Sequence, residues 1–217
     1  MRVVLVALLL CSCRGKPAAP ILSYHSVGDD GDEFTVSETA FARQLDWLVA
    51  QGIHTSPLRE LKGVALTFDD GKEDALTRVV PALQKRGMTG TFFVITGMVG
   101  KPGFLSWDGV RALDKAGMEI GSHTVTHPRL ADLPDDKVRE ELVDSKRELE
   151  KQLRHPVDLL AYPYNSVRPR VRDAARDAGY RMAVSGAAHG GSDPLDLLRI
   201  TITRATTMEQ FEQILHK

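Results

Sequence analysis

The stretch that decides how this chain is read is Val64-Ala65-Leu66-Thr67-Phe68-Asp69-Asp70-Gly71. Its first five residues are apolar or β-branched, the pattern of a strand buried on both faces. Two adjacent carboxylates follow at once, and Gly71 lets the backbone turn sharply behind them. Neighbouring carboxylates raise each other's pKa unless a cation compensates. A bound divalent metal would compensate, leaving one Asp to ligate and the other to accept a proton. The plainer reading of Asp-Asp-Gly is a solvent turn capping a helix, and an aspartyl phosphatase-like site is another. The apolar strand in front of it favours a site over a turn.

Outward from that strand, further strands are expected at Ile21–His25, Thr91–Ile95, Met118–Ser122, Leu159–Tyr162, Tyr180–Val184 and Arg199–Ile202. Helices are expected from Phe41 to Gly52 behind a Ser37 cap, and at Asp74–Arg86, Trp107–Ala116, Arg168–Ala178 and Met208–Leu215. Asp135–Leu153 reads as a long charged helix that turns Val138, Leu142 and Leu149 inward. Regular alternation of this kind argues for an α/β protein with a parallel sheet. A barrel and an open doubly wound sheet both place their sites at the C-terminal ends of strands. Residues just after strands therefore carry the functional reading, and no internal repeat or second domain boundary interrupts it.

A second constellation, Ser122-His123-Thr124-Val125-Thr126-His127, follows the strand at Met118–Ser122. Two His four residues apart share one face of a helical turn and can share a metal. The Glu of a His-Glu-x-x-His motif is absent, so a base must come from elsewhere, and Asp69 is available. Two surface His before Pro128 would be the bland alternative. Together with Asp70, the pair makes a two-His, one-carboxylate set that leaves positions open for water and substrate.

The chain has 217 residues, 42% of them hydrophobic, and a formal net charge of −1. That suits one domain with a short leader, and no basic field points to nucleic acid. Met1–Cys13 (MRVVLVALLLCSC) reads as a secretory signal too short to span a bilayer as a mature helix. Both cysteines sit at its end, so the mature domain has no disulfide framework. Leu10–Cys13 resembles a bacterial lipoprotein signal that would lipidate Cys13, with plain secretion as the alternative. Residues 14–20 read as a tether, and residues 21–217 as a single domain. The expected location is outside the cytoplasm, either lipid-anchored in the envelope or secreted.

Taken in order, Thr67-Phe68-Asp69-Asp70-Gly71, Ser122 to His127 and Ala161-Tyr162-Pro163-Tyr164 resemble the polysaccharide deacetylase family, the NodB-homology domain, from about residue 63 to the C-terminus. Ile21–Val27 and Phe34–Gly52 resemble the branch that includes poly-N-acetylglucosamine deacetylases. The resemblance implies a distorted (β/α) barrel. It also implies a metal-dependent N-deacetylase acting on an N-acetylated glycan, monomeric, with no nucleic-acid partner and no membrane contact beyond an N-terminal lipid anchor. It assigns Asp69 as general base, Asp70, His123 and His127 as metal ligands, and the Tyr164 backbone N–H as oxyanion donor. Zinc suits such ligands best, with cobalt, nickel or iron as alternatives.

Three departures from the family pattern stand out. Ala161 replaces the Arg that usually orients the base, Asn165 replaces a Gly, and Leu197-Leu198-Arg199-Ile200 lacks the usual C-terminal His acid. In the branch resembled, an N-terminal His takes that last role, and His25 matches it. His189 is a weaker candidate, and His54, His155 and His216 are expected to face solvent. Tyr162 and Trp107, with Phe104, are candidates to line a sugar groove, whereas Phe92 and Phe93 are expected to pack. Two other functions fit the same residues less well: a non-catalytic glycan-binding envelope module, and a phosphatase using Asp69 as nucleophile. Poly-N-acetylglucosamine, peptidoglycan and chitin oligomers all carry the acetamido group, and the sequence leaves open which is the substrate.

Overall fold

The structure, a computed structural model, describes residues 20–186 and 193–216. The leader, Cys13 and most of the tether, like His189, lie outside the described residues. Among the described residues, no helix is long and apolar enough to cross a membrane.

The chain runs through strands β1 (Ile21–Tyr24), β2 (Ser26–Val27) and β3 (Thr35–Val36), helix α1 (Glu38–Ala50), strand β4 (Ala65–Phe68), helix α2 (Val80–Gln84), strand β5 (Thr91–Val94) and helix α3 (Trp107–Lys115). It continues through β6 (Glu119–Ser122), α4 (Asp135–Leu153), β7 (Leu159–Ala161), α5 (Pro169–Asp177), β8 (Met182–Ser185), β9 (Leu197–Leu198), β10 (Ile200–Thr201) and α6 (Met208–Leu215). All strand pairs in the main sheet are parallel, in the order β10-β1-β4-β5-β6-β7-β8-β9. The two ends of that order, β9 and β10, are halves of one segment. Its first half pairs with β8, its second with β1, and only Arg199 lies between them. The segment thus bridges the edges, and the expected (β/α) barrel is present and nearly closed. The strand expected at Arg199–Ile202 is accordingly shorter, Ile200–Thr201, because the segment changes partner at Arg199.

Strand side chains alternate, and here the alternation divides the core. Ile21, Ala65, Phe93, Leu159, Ala161 and Val184 form one buried cluster inside the barrel. Their neighbours Leu22, Tyr24, Leu66, Phe68, Phe92 and Ile120 pack outward under Phe41 and Leu45 of α1 and Val110 and Leu113 of α3. Leu160 and Ala183 pack under Val138, Leu142, Val171 and Ala175 of α4 and α5. The interior is narrow. A Cβ on Gly121 would lie 2.5 Å from the Phe93 ring, so glycine there makes room for that ring. At the N-terminal end of the barrel, Glu119 accepts from the Thr91 hydroxyl at 2.8 Å and pairs with Arg59 at 3.5 Å.

The helices form for local reasons. Ser37 Oγ accepts the Ala40 N–H at 3.2 Å, and α1 then buries Phe41, Gln44, Leu45 and Leu48. Helix α4 spans the expected residues, buries Val138, Leu142 and Leu149, and ends at Arg154 with φ +63°. The expected helix at Asp74–Arg86 opens instead with a π-helical turn, Ala75–Val79. Pro81 has no N–H to donate into that turn, so the backbone widens before α2. The short pair β2–β3 has no counterpart in the expected elements.

Candidate active site

The inward register that places Ile21, Ser23, Ala65 and Thr67 continues past the strand ends to His25 and Asp69. Asp69 N–H donates to Tyr24 O at 2.9 Å, which holds the end of β4 against β1. Asp70 then takes φ +72° and Gly71 φ +73°, so the chain turns at once and the two carboxylates point differently. Asp69 is fully buried, and Asp70 is partly open to solvent.

The histidine pair meets by a route other than the expected helical turn. His123 directly follows β6, its N–H bonded to Val94 O at 2.9 Å. The backbone then bends with Thr124 at φ +66° and His127 at φ +61°. Glu141 of α4 pins the bend by accepting the N–H groups of Val125 and Thr126, each at 2.8 Å. Thr124 Oγ1 accepts the His127 N–H at 3.0 Å. An isolated helical turn would gain one backbone bond, whereas the carboxylate of α4 satisfies two donors here. The result still brings His127 Nε2 to 3.1 Å from His123 Nε2.

Asp70, His123 and His127 can each turn one ligand atom to within 4.8 Å of the others. His123 Nε2 and His127 Nε2 lie 3.8 and 3.7 Å from Asp70 Oδ1. His123 Nδ1 lies 2.8 Å from Ala161 O. A carbonyl only accepts, so Nδ1 carries the proton and Nε2 presents its lone pair toward Asp70. Burial pushes the His123 imidazole below its ordinary range against the pull of Asp69 and Asp70. Burial, and then His123, push His127 down to about 4. Two neutral imidazoles and a carboxylate, converging with one side toward solvent, fit a divalent cation.

Asp69 has the partner that its sequence surroundings did not reveal. Arg199 donates to Asp69 Oδ1 at 2.7 Å through one terminal nitrogen and to Oδ2 at 2.5 Å through the other. Both residues are buried. Burial alone would raise the Asp69 carboxyl, but the Arg199 guanidinium and then His123 hold it well below the usual carboxylate range. The orienting arginine absent at Ala161 is thus supplied from the point where the closing segment changes partner. Its one local signal was a lone charge in the apolar run Leu197-Leu198-Arg199-Ile200.

His25 joins the same group, its Nε2 3.9 Å from Asp69 Oδ2, with its ring on Phe34. Tyr164 lies across the histidine pair, its ring centroid 4.6 Å from that of His127. Its φ is +55° and that of Asn165 is +53°; asparagine tolerates this region, so the turn keeps its shape without the family's glycine. Five of the seven non-glycine residues described with left-handed φ belong to this site: Asp70, Thr124, His127, Tyr164 and Asn165. Such strain collects where geometry serves chemistry.

One sequence candidate requires correction. Tyr162 is wholly buried and its hydroxyl donates to Leu195 O at 2.9 Å, so its ring belongs to the core and lines no groove. It follows β7 on the outward side of the alternation. Trp107 opens α3 and packs, half-buried, against the outer core. Among the described residues, no aromatic pairing joins Trp107 to the Asp/His group. Phe104 is closer, since Lys72 Nζ lies 4.1 Å from its ring centroid and 3.7 Å from Asp70 Oδ2. His54, His155 and His216 are exposed, as expected.

Known proteins share this arrangement of sequence and fold. A sequence model described as polysaccharide deacetylase matches residues 59–183. YxkH of Bacillus subtilis, named among polysaccharide deacetylases, is 29% identical over 204 residues, covering 87% of this chain and 73% of its own. A peptidoglycan-N-acetylglucosamine deacetylase of Bacillus cereus is 32% identical over 121 residues, 55% of this chain and 54% of that protein. The deacetylase PplD of Streptococcus pyogenes, solved in complex with acetate, superposes with a TM-score of 0.83 at 27% identity, covering 91% of this chain and 97% of that one. The match runs over more than half of the chain and the fold agrees over nearly all that is described: this protein belongs to the polysaccharide deacetylase family of hydrolases.

Proposed function

We propose that this protein is a metal-dependent hydrolase that removes N-acetyl groups from an N-acetylglucosamine-containing polysaccharide in the cell envelope or beyond it. The observation that carries the reading is the convergence of Asp70, His123 and His127 beside a buried, arginine-held Asp69. The peptidoglycan deacetylase of Bacillus cereus and the acetate bound to PplD support the acetamide as the reacting group. The leader read from Met1–Cys13 supports export.

Asp70, His123 and His127 would hold the cation, and zinc suits them best. When bound there, it supplies Lewis-acid chemistry, activating water and polarising the amide carbonyl. Asp69 accepts the proton of the attacking water. Arg199 keeps that carboxylate ionised and aimed, so no reorganisation is needed at the moment of transfer. The Tyr164 backbone N–H donates to the oxyanion that forms. His25 protonates the leaving amine. The proton that Asp69 took from water then passes through solvent to His25, whose Nε2 lies 3.9 Å from Asp69 Oδ2, and the site returns to its starting state.

Asp70→Ala and His123→Ala should each remove bound metal and lower acetate release from N-acetylglucosamine oligomers at least about 100-fold, the scale typical of losing one electrostatic stabiliser. Metal content by elemental analysis and acetate by coupled assay test this on one preparation. Variants that lose metal yet keep full activity would refute metal dependence. Retained glycan binding with no acetate release in the metal-loaded wild type would make the protein a binding module.

A further inference from the structure

Asp74 stands four positions beyond Asp70, where the chain behind the Asp-Asp-Gly motif enters the π-helical turn Ala75–Val79. It is partly buried, and its Oδ2 accepts the Val27 N–H at 2.7 Å. Arg78, in the same turn, donates to Val27 O at 3.2 Å and pairs through Nε with Glu38 of α1 at 2.8 Å. The fit is close: a Cβ on Gly28 would lie 2.7 Å from Arg78 Nη1. Both backbone polar groups of Val27 are thus taken by side chains of one element. The pairing with β3 lies on the other edge of β2, where Gly28 N–H donates to Val36 O at 2.9 Å. Burial pushes the Asp74 carboxyl up from its ordinary value, and the Val27 N–H is the foremost group opposing that push.

A two-residue strand with a single two-residue partner is weakly fixed by its own ladder, so what β2 carries depends on what else holds it. A bond from a backbone N–H to a carboxylate is charge-assisted and roughly twice as strong as a neutral one. His25 directly precedes β2, and Phe34, on which the His25 ring lies at 4.8 Å, directly precedes β3. The far end of the clamp is the loop that bears Asp70. We infer that Asp74 is a positioning residue for His25: with Arg78 it straps the segment bearing the proton donor to the turn bearing the metal ligand, so that the two keep one spacing. The inference rests on the deacetylase reading for the role of His25 as acid. Its own content is a division of labour in which Arg199 aims the base and Asp74 aims the acid.

Amide and ester substrates separate positioning of the acid from general support of the fold. An amine leaves only when a proton is supplied, whereas a nitrophenolate leaves without one. In zinc-loaded protein, Asp74→Ala should lower kcat for acetate release from an N-acetylglucosamine oligomer about 100-fold, the scale of a misplaced reacting group. KM and bound zinc should hold, and hydrolysis of 4-nitrophenyl acetate should stay near that of the wild type. Asp74→Asn keeps an acceptor oxygen for the Val27 N–H and should recover most of the loss. Added to His25→Ala, the change Asp74→Ala should cost nothing more, because both act through one group. Where Asp74→Ala does not fold, Arg78→Gln carries the same comparison at smaller amplitude. Equal losses on amide and ester, or no loss on either, overturn the inference. NMR gives a readout that needs no turnover, since the Phe34 ring current displaces the His25 ring-proton shifts. Those shifts should move toward solvent-exposed values in Asp74→Ala and stay in Asp74→Asn. Moved shifts in a protein whose wild type releases no acetate refute the deacetylase and leave the clamp, whereas release with unmoved shifts does the reverse.

Discussion

At the scale of single residues, the proposed chemistry turns on the pair Arg199–Asp69. A guanidinium fork matches a carboxylate with two parallel bonds, which fixes direction as well as charge. Arg199→Met would leave a buried carboxylate uncompensated, and breaking such a pair typically costs about 3–5 kcal/mol. We expect the urea midpoint of that variant to fall and kcat to drop about 100-fold, the penalty of a misplaced reacting group. Arg199→Lys restores charge without the fork and should recover more stability than kcat. Equal recovery of both would mean that Arg199 acts through charge alone.

At the scale of elements, the strands were legible because apolar runs of four or five residues ended at Gly, Asp or His. The two carboxylates directly behind the apolar run of β4 then made Asp69 a candidate site residue before any fold was known. The two motifs were legible because each lies within a few residues of one strand end. Arg199 was not, since it bonds Asp69 across 130 positions and only barrel closure brings them together. The helical turn expected at His123–His127 failed for a similar reason: the carboxylate that bends it, Glu141, belongs to another element. Tyr162 was misplaced by one step of the pleat, the step that separates a groove-facing ring from a core ring. The foot of β6 carries a testable consequence. Burial pushes the Glu119 carboxyl up from its ordinary value, with the Thr91 hydroxyl opposing. A raised acid binds its proton more tightly folded than unfolded, so its contribution to stability falls as pH rises above about 4.5. Glu119→Gln should therefore gain on the wild type between pH 4 and pH 7 in urea unfolding. A difference that is flat or shrinks with pH would contradict the burial argument.

At the scale of the whole molecule, the site depends on both ends of the chain. The family match covers residues 59–183, yet β1 lies between β4 and β10, and the closing segment carries Arg199. A fragment of residues 59–183 lacks His25, Arg199 and the strands that close the barrel. It should show no cooperative urea transition, and a sharp transition would mean that the barrel stands without its closing strands. The most direct test of the central claim is acetate release from an N-acetylglucosamine oligomer by one preparation, assayed as purified, after chelation and after zinc is restored. We expect release to vanish with the metal and to return with it in the wild type, and not to return in His127→Ala. Undiminished release by the chelated protein would contradict a metal-dependent site at Asp70, His123 and His127.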